Sequence, residues 1–180
     1  MTNAWLRRIT TGGIALLVLG MLAPGLAAQT APELSFLRAL GDHYQVPAEE
    51  VEILAEWQIP ISEIPVALAI ADRAGISPDA LVASRSNGRA WAALAARYGL
   101  DAGFFHVEFD TPPEPVASLY EELGARPRER WSEVTVDDAQ AVFLVNVRFL
   151  AEYVDLPPAD AAAALMEHTS PAEALRAISP

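Results

Sequence analysis

Residues 75–99 read GISPDALVASRSNGRAWAALAARYG and carry the densest helix punctuation in the chain. Ser77 is placed to cap a helix whose first turn holds Pro78, where a missing N–H costs nothing, and Asp79, whose carboxylate meets the positive helix end. Gly88, with Asn87 beside it, fits a left-handed stop. Trp91, Leu94, Ala95 and Tyr98 then recur at three- and four-residue spacing before Gly99, which predicts a second helix with one apolar stripe. The unit is therefore helix, glycine, helix, and nothing in it is a catalytic signature.

The same punctuation recurs about every 10 to 18 residues and predicts an all-α fold, a compact array of about eight or nine short helices. Thr30, Pro32 and Glu33 have capping-box spacing, with Leu34, Leu37, Leu40 and Tyr44 as the buried face. Pro47 opens a helix in which Val51, Leu54 and Trp57 point one way. Glu49, Glu50, Glu52 and Glu56 lie around the other side, a solvated face rather than a cation site, since no glycine turn or fixed carboxylate pair accompanies them. Ser62 is the expected cap of a third helix containing Ile64, Leu68 and Ala71. GLDAGFFHVEFD, residues 99–110, reads as one helical turn and then an extended segment, with Phe105 to Phe109 the one place where a strand fits.

TPPEP, residues 111–115, is a proline-rich linker that blocks helix. It divides an N-terminal helical half, 29–110, from a C-terminal one, 116–180. Pro115 through Leu123 predicts a short helix stopped by Gly124, and RPRERWSEVT a polar connection. Thr135 and Asp138 repeat the capping-box spacing before the longest helix, DDAQAVFLVNVRFLAEYV, within which Val142, Phe143, Val145, Phe149, Leu150 and Tyr153 make it the core of its half. Asn146 and Arg148 interrupt that run. They are expected to be an amide bonded to neighbouring backbone and an arginine snorkelling outward. Helices also start at Pro157-Pro158 and at Ser170-Pro171. At an offset of 80 residues, Ile70, Asp72, Ile76 and Pro78 fall on Leu150, Glu152, Leu156 and Pro158. Either an internal duplication or convergent helix punctuation produces this.

The address is written at the start. Arg7 and Arg8, the apolar run from Ile14 to Leu22 and small residues ending at Ala27 and Ala28 form a secretory signal peptide over residues 1–28. The run is diluted by Thr10, Thr11, Gly12 and Gly13, against the roughly 20 apolar residues of a membrane anchor. The expected destination is the periplasm or the extracellular medium. The chain has no cysteine, which excludes a disulfide framework and a lipid-bearing cysteine. Its net charge of −12 becomes −14 once Arg7 and Arg8 leave with the signal. Such a surface repels nucleic acid and anionic headgroups.

The segments IADRAGISPDALVASRSNGRAWAALAARYGL and VFLVNVRFLAEYVDLPP resemble an uncharacterised group of exported bacterial all-helical proteins. That resemblance implies an all-helical extracytoplasmic protein and brings no activity, cofactor or catalytic residue with it. The second copy, AAAALMEHTSPAEAL, lacks the run at Arg85, Gly88 and Trp91.

WAALAARYGLDAGFF matches helix-turn-helix spacing, but its recognition segment DAGFFHVEF has no Arg, Lys, Asn or Gln for phosphates or base edges. His43, His106 and His168 are too far apart for a helical metal pair, and there is no phosphate loop or serine elbow. No catalytic residue, metal or cofactor is expected. The leading function is an exported helical binding or scaffolding protein of the bacterial envelope, not an enzyme. The alternative is a hydrolase with a carboxylate-based site, which a buried carboxylate pair in a deep pocket would favour. The candidate partner-binding residues are Arg126, Arg128, Arg130 and Trp131. They gather positive charge and a large ring on an acidic body, suited to an acidic envelope protein or anionic polymer. The competing account is internal: those arginines neutralise Glu121, Glu122, Glu129 and Glu133 while Trp131 packs under the loop.

Overall fold

The computed structural model describes residues 30–57 and 59–179; the expected signal peptide, 1–28, lies outside them. The described residues form ten α-helices and three 3-10 turns, with no strand. Helix α1 (Ala31–Tyr44) starts with the full capping box of Thr30 and Glu33, and α2 (Ala48–Glu56) follows. A 3-10 turn, Ile61–Glu63, leads into α3 (Ile64–Ala74), so Ser62 is not a cap. Its carbonyl instead accepts from Asn146, 84 residues away. Helices α4 (Pro78–Ser86) and α5 (Trp91–Ala96) are the unit with which the sequence is punctuated, and Gly88 stands between them at φ 81°. Tyr98 lies beyond the end of α5 and is exposed, so the buried stripe is Trp91, Leu94 and Ala95.

Helix α6 (Ala102–Phe105) is a single turn capped by Asp101, whose Oδ1 accepts from the Gly103 N–H at 2.9 Å. That turn brings the count to ten. After it the backbone extends without pairing, because the Tyr120 hydroxyl takes both the N–H and the C=O of Val107. Past the second 3-10 turn, Glu114–Val116, come α7 (Ala117–Gly124) and the third 3-10 run, Arg128–Glu133, where a polar connection was expected. Helix α8 (Asp138–Val154) is capped by Asp137 with Gln140, two residues later than the Thr135 spacing suggested. Helices α9 (Pro158–Glu167) and α10 (Pro171–Ile178) complete the chain, the latter capped by Ser170.

Helix α8 is the centre: α9, α3, α1, α5 and α6 all pack against it, and α1 also packs against α10. Phe36 of α1 meets Phe149 of α8 edge-on at 5.5 Å. Both rings are fully buried, each contributing about 1.5–3 kcal/mol. One hydrophobic core runs across residues 111–115 without interruption. Trp57 and Tyr153, expected inward, are exposed at the ends of their helices.

The turn at the 80-residue offset is one of four alike. Gln45, Gly75, Gly99 and Asp155 adopt left-handed backbone at φ 56°, 66°, 75° and 56°. The N–H of the aliphatic residue that follows each, Val46, Ile76, Leu100 and Leu156, donates five residues back to Gly41, Ala71, Ala95 and Ala151. This is the Schellman closure, which satisfies the last carbonyls of a helix. The residue after the aliphatic one is the N-cap of the next helix in every case. The match between Ile76-Ser77-Pro78 and Leu156-Pro157-Pro158 falls on this turn, which also joins α1 to α2 and α5 to α6.

Candidate functional site

The α4–α5 unit sets Arg85 and Trp91 on either side of Gly88, and the guanidinium lies 5.3 Å from the centre of the indole. Glu63, from the 3-10 turn before α3, receives Arg85 Nε on Oε2 at 2.6 Å and Nη2 on Oε1 at 2.8 Å. Its Oε2 also accepts the Trp91 indole N–H at 3.0 Å. On the other side Arg85 Nη1 donates to Asp138 Oδ2 at 2.5 Å, while Asp138 Oδ1 accepts the Trp91 backbone N–H at 2.7 Å. Ala90, the N-cap of α5, has no side chain to cap with, so the first residue of α8 caps that helix from across the core. The side chains of Arg85, Glu63 and Asp138 are 17%, 13% and 37% exposed. The hydrogen bonds to Glu63 raise the Arg85 pKa above its ordinary value, Asp138 acting the same way.

Beside this brace is a cleft of about 400 Å3 between the Ile61–Glu63 turn, α8 and the α9–α10 connection. Asp138, Val142 and Asn146 lie at i, i+4 and i+8 on α8 and form one wall; Glu63, Phe143 and His168 line it as well. Asn146 is 2% exposed. Its Nδ2 donates to the carbonyls of Ser62 and Val142, both at 2.8 Å, and so holds the turn against α8. That much agrees with an amide bonded to backbone. Its Oδ1, however, is buried and has no hydrogen-bond partner among the described residues. An amide oxygen left in that state costs about 1–3 kcal/mol.

Arg148 does not snorkel outward. Its Nη2 donates to the carbonyls of Phe104 at 2.5 Å and His106 at 3.4 Å, and the guanidinium stacks over the Phe104 ring, closing the end of α6. It lines a second, more polar cavity of about 530 Å3 with His43, Asp72, Arg73, His106 and Glu152. Burial raises the pKa of Tyr44 there, and His43 Nε2 stands 3.4 Å from Glu152. Among the described residues no group of three or more acidic or histidine side chains could hold a metal ion.

Of the four residues expected to bind a partner, Arg128, Arg130 and Trp131 lie on the 3-10 run after α7 and Arg126 just before it, and all but Arg128 are engaged internally. Arg126 Nη1 is 3.1 Å from Glu122, and Arg130 makes two bonds to Glu133 at 2.9 and 2.6 Å. The Trp131 indole N–H donates to the Leu123 carbonyl at 3.1 Å, capping α7, and its ring packs 4.8 Å from that of His106. Arg128 stacks 5.0 Å over Trp131, and its nearest carboxylate, Glu108, is 4.0 Å away. Of the supposed helix-turn-helix recognition segment DAGFFHVEF, only the four residues of α6 are helical.

Comparison with protein-family models, with curated proteins and with solved structures finds no match to this chain. Sequence reasoning passed over Glu63, read Asp138 only as the capping-box partner of Thr135, and left the role of Arg85 and Trp91 beyond packing open. The partial signal was Asp138, Val142 and Asn146 on one helical face: a carboxylate and an amide where the rest of that face is apolar.

Proposed function

We propose that this protein is an exported binding or scaffolding module of the bacterial envelope, acting in the periplasm or outside the cell, and that it holds a small ligand in the cleft beside Glu63, Asp138, Asn146 and His168. The observation that carries this reading is the unpartnered Oδ1 of buried Asn146 in the wall of a cleft of small-molecule size. A hydrolase would use Glu63 and Asp138 as its carboxylate pair. All four of their oxygens already accept hydrogen bonds from Arg85 and Trp91, which suits a brace better than proton transfer.

Arg126, Arg128, Arg130 and Trp131 remain the candidate surface for an acidic envelope protein or anionic polymer. Arg128 is the residue of that set whose guanidinium is least committed. Changing the three arginines to glutamate should abolish partner capture and keep the fold; capture that survives removes this surface from the proposal.

Native mass spectrometry of the protein recovered from envelope extract tests the cleft. A bound small molecule in the wild type that is lost in Val142→Trp, which fills the cleft, is the expected result. An identical mass in both would overturn it. For export, an N-terminus near Ala28 or Gln29 is expected, and an intact Met1 on the exported protein would refute cleavage.

A further inference from the structure

The permanently charged side chains lining the cleft are both carboxylates, beside the neutral hydroxyls of Ser62, Thr169 and Ser170. Two carboxylates, Glu63 and Asp138, share one guanidinium, so the brace carries a net negative charge where it meets the cleft. Asn146 Oδ1 adds an acceptor with no donor. The third contribution comes from α9, which ends here: Leu165 and His168 line the cleft, and the His168 N–H, donating to Ala164, is its last main-chain bond. The carbonyls beyond Ala164 give the cleft the negative end of that helix. The positive ends nearby are already neutralised, α8 by Asp137 and α10 by Ser170 and Glu173. Between these polar edges Val142, Phe143 and Leu165 supply an apolar wall.

We infer that the ligand is a small organic cation, an ammonium group on an apolar stem, with its charged end toward Glu63, Asp138 and Asn146 and its stem against Val142, Phe143 and Leu165. This rests on the cleft being the binding site. A carboxylate of the same shape would meet like charge and an acceptor that it cannot satisfy. A neutral alcohol would keep the stem contacts and lose the charge attraction. The attraction is screened by salt to the extent that the cleft is open to water.

The test uses the full chain, labelled with nitrogen-15, and three probes of one shape: n-hexylammonium, n-hexanol and n-hexanoate. Hexylammonium is expected to move the Asn146 side-chain NH2 and the backbone amides of Phe143 and His168, with hexanoate at least about tenfold weaker. Val142→Trp should abolish those shifts. Ala139→Lys, at an exposed position on the cleft rim, is the second variant, serving if the tryptophan prevents folding. It places a resident ammonium at the site and should weaken hexylammonium while leaving hexanol unchanged. If hexanol or hexanoate binds at these residues as tightly as hexylammonium, the cationic class is overturned and the cleft stands. If none of the three probes moves Asn146, Phe143 or His168, both the class and the cleft fall.

Discussion

Arg85 and Glu63, 22 residues apart, meet through two parallel hydrogen bonds, and the same guanidinium reaches Asp138, 53 residues further on. Planar bidentate geometry of this kind suits arginine and not lysine. Arg85→Met leaves two carboxylates facing each other without their cation. A fully buried pair broken this way costs about 3–5 kcal/mol, and the partial exposure of Asp138 brings the expected loss here to about 2–3 kcal/mol. Denaturant titration should record it, with Arg85→Lys recovering only part. An unmoved midpoint would mean that the brace is screened by water.

Trp91 is fully buried and holds Glu63 through its indole N–H. Trp91→Ala should cost about 3–5 kcal/mol. Trp91→Phe keeps most of the ring but leaves a half-buried carboxylate oxygen one donor short, an expected loss of about 1–2 kcal/mol. The two variants should separate clearly in thermal unfolding; equal effects would make packing the whole of the residue's role.

Gln45 and Asp155 hold left-handed backbone that an L side chain disfavours, whereas Gly75 and Gly99 fill equivalent positions without strain. Gln45→Gly should therefore stabilise by about 0.5–1 kcal/mol, and Gly75→Ala destabilise by about 1 kcal/mol. No atom lies within 4 Å of a Cβ added at Gly75, so the loss would be purely torsional. Gly41 differs: an added Cβ would come within 2.7 Å of the Val46 carbonyl, so Gly41→Ala should lower the melting temperature although alanine is the better helix former.

Burial against Tyr120 and Trp131 lowers the pKa of His106 below the ordinary 6.5, with Arg128 acting the same way and Glu108 opposing. The unfolded chain then takes up this proton before the folded one does. Stability contributed by neutral His106 is whole above 6.5, is lost as the pH falls from there through the folded pKa, and levels off below it. His106→Gln should flatten that limb of a plot of melting temperature against pH. A variant with the same slope as the wild type would place the proton uptake elsewhere.

The helices were legible because caps and stops act over three to five residues: Thr30 with Glu33, Ser77, Gly88 and Ser170 all do what their spacing predicts. The turn at Gln45 was hidden because it is not glycine, whereas the one at Asp155 showed through its alignment with Gly75 at the 80-residue offset. Exposure at helix ends was also missed, since Trp57 and Tyr98 continue an apolar period past the point where the helix stops. The site was legible in only one element. Asp138 and Asn146 share a face of α8, but Glu63, Arg85 and Trp91 reach it through turns whose angles no local pattern encodes. The basic cluster drew notice because neighbouring residues are easy to count together, and its partners Glu122 and Glu133 were just as near.

Helix α1 lies against α10, and Ala31 and Ser179 line one shallow cleft, so the first and last described helices complete each other. The edge of α1 at Ala31, Ser35 and Ala39 is thus finished only when the final helix has arrived. A chain emerging in order would keep that edge of α1 open until its last helix appeared, although α2 covers its neighbouring face at once.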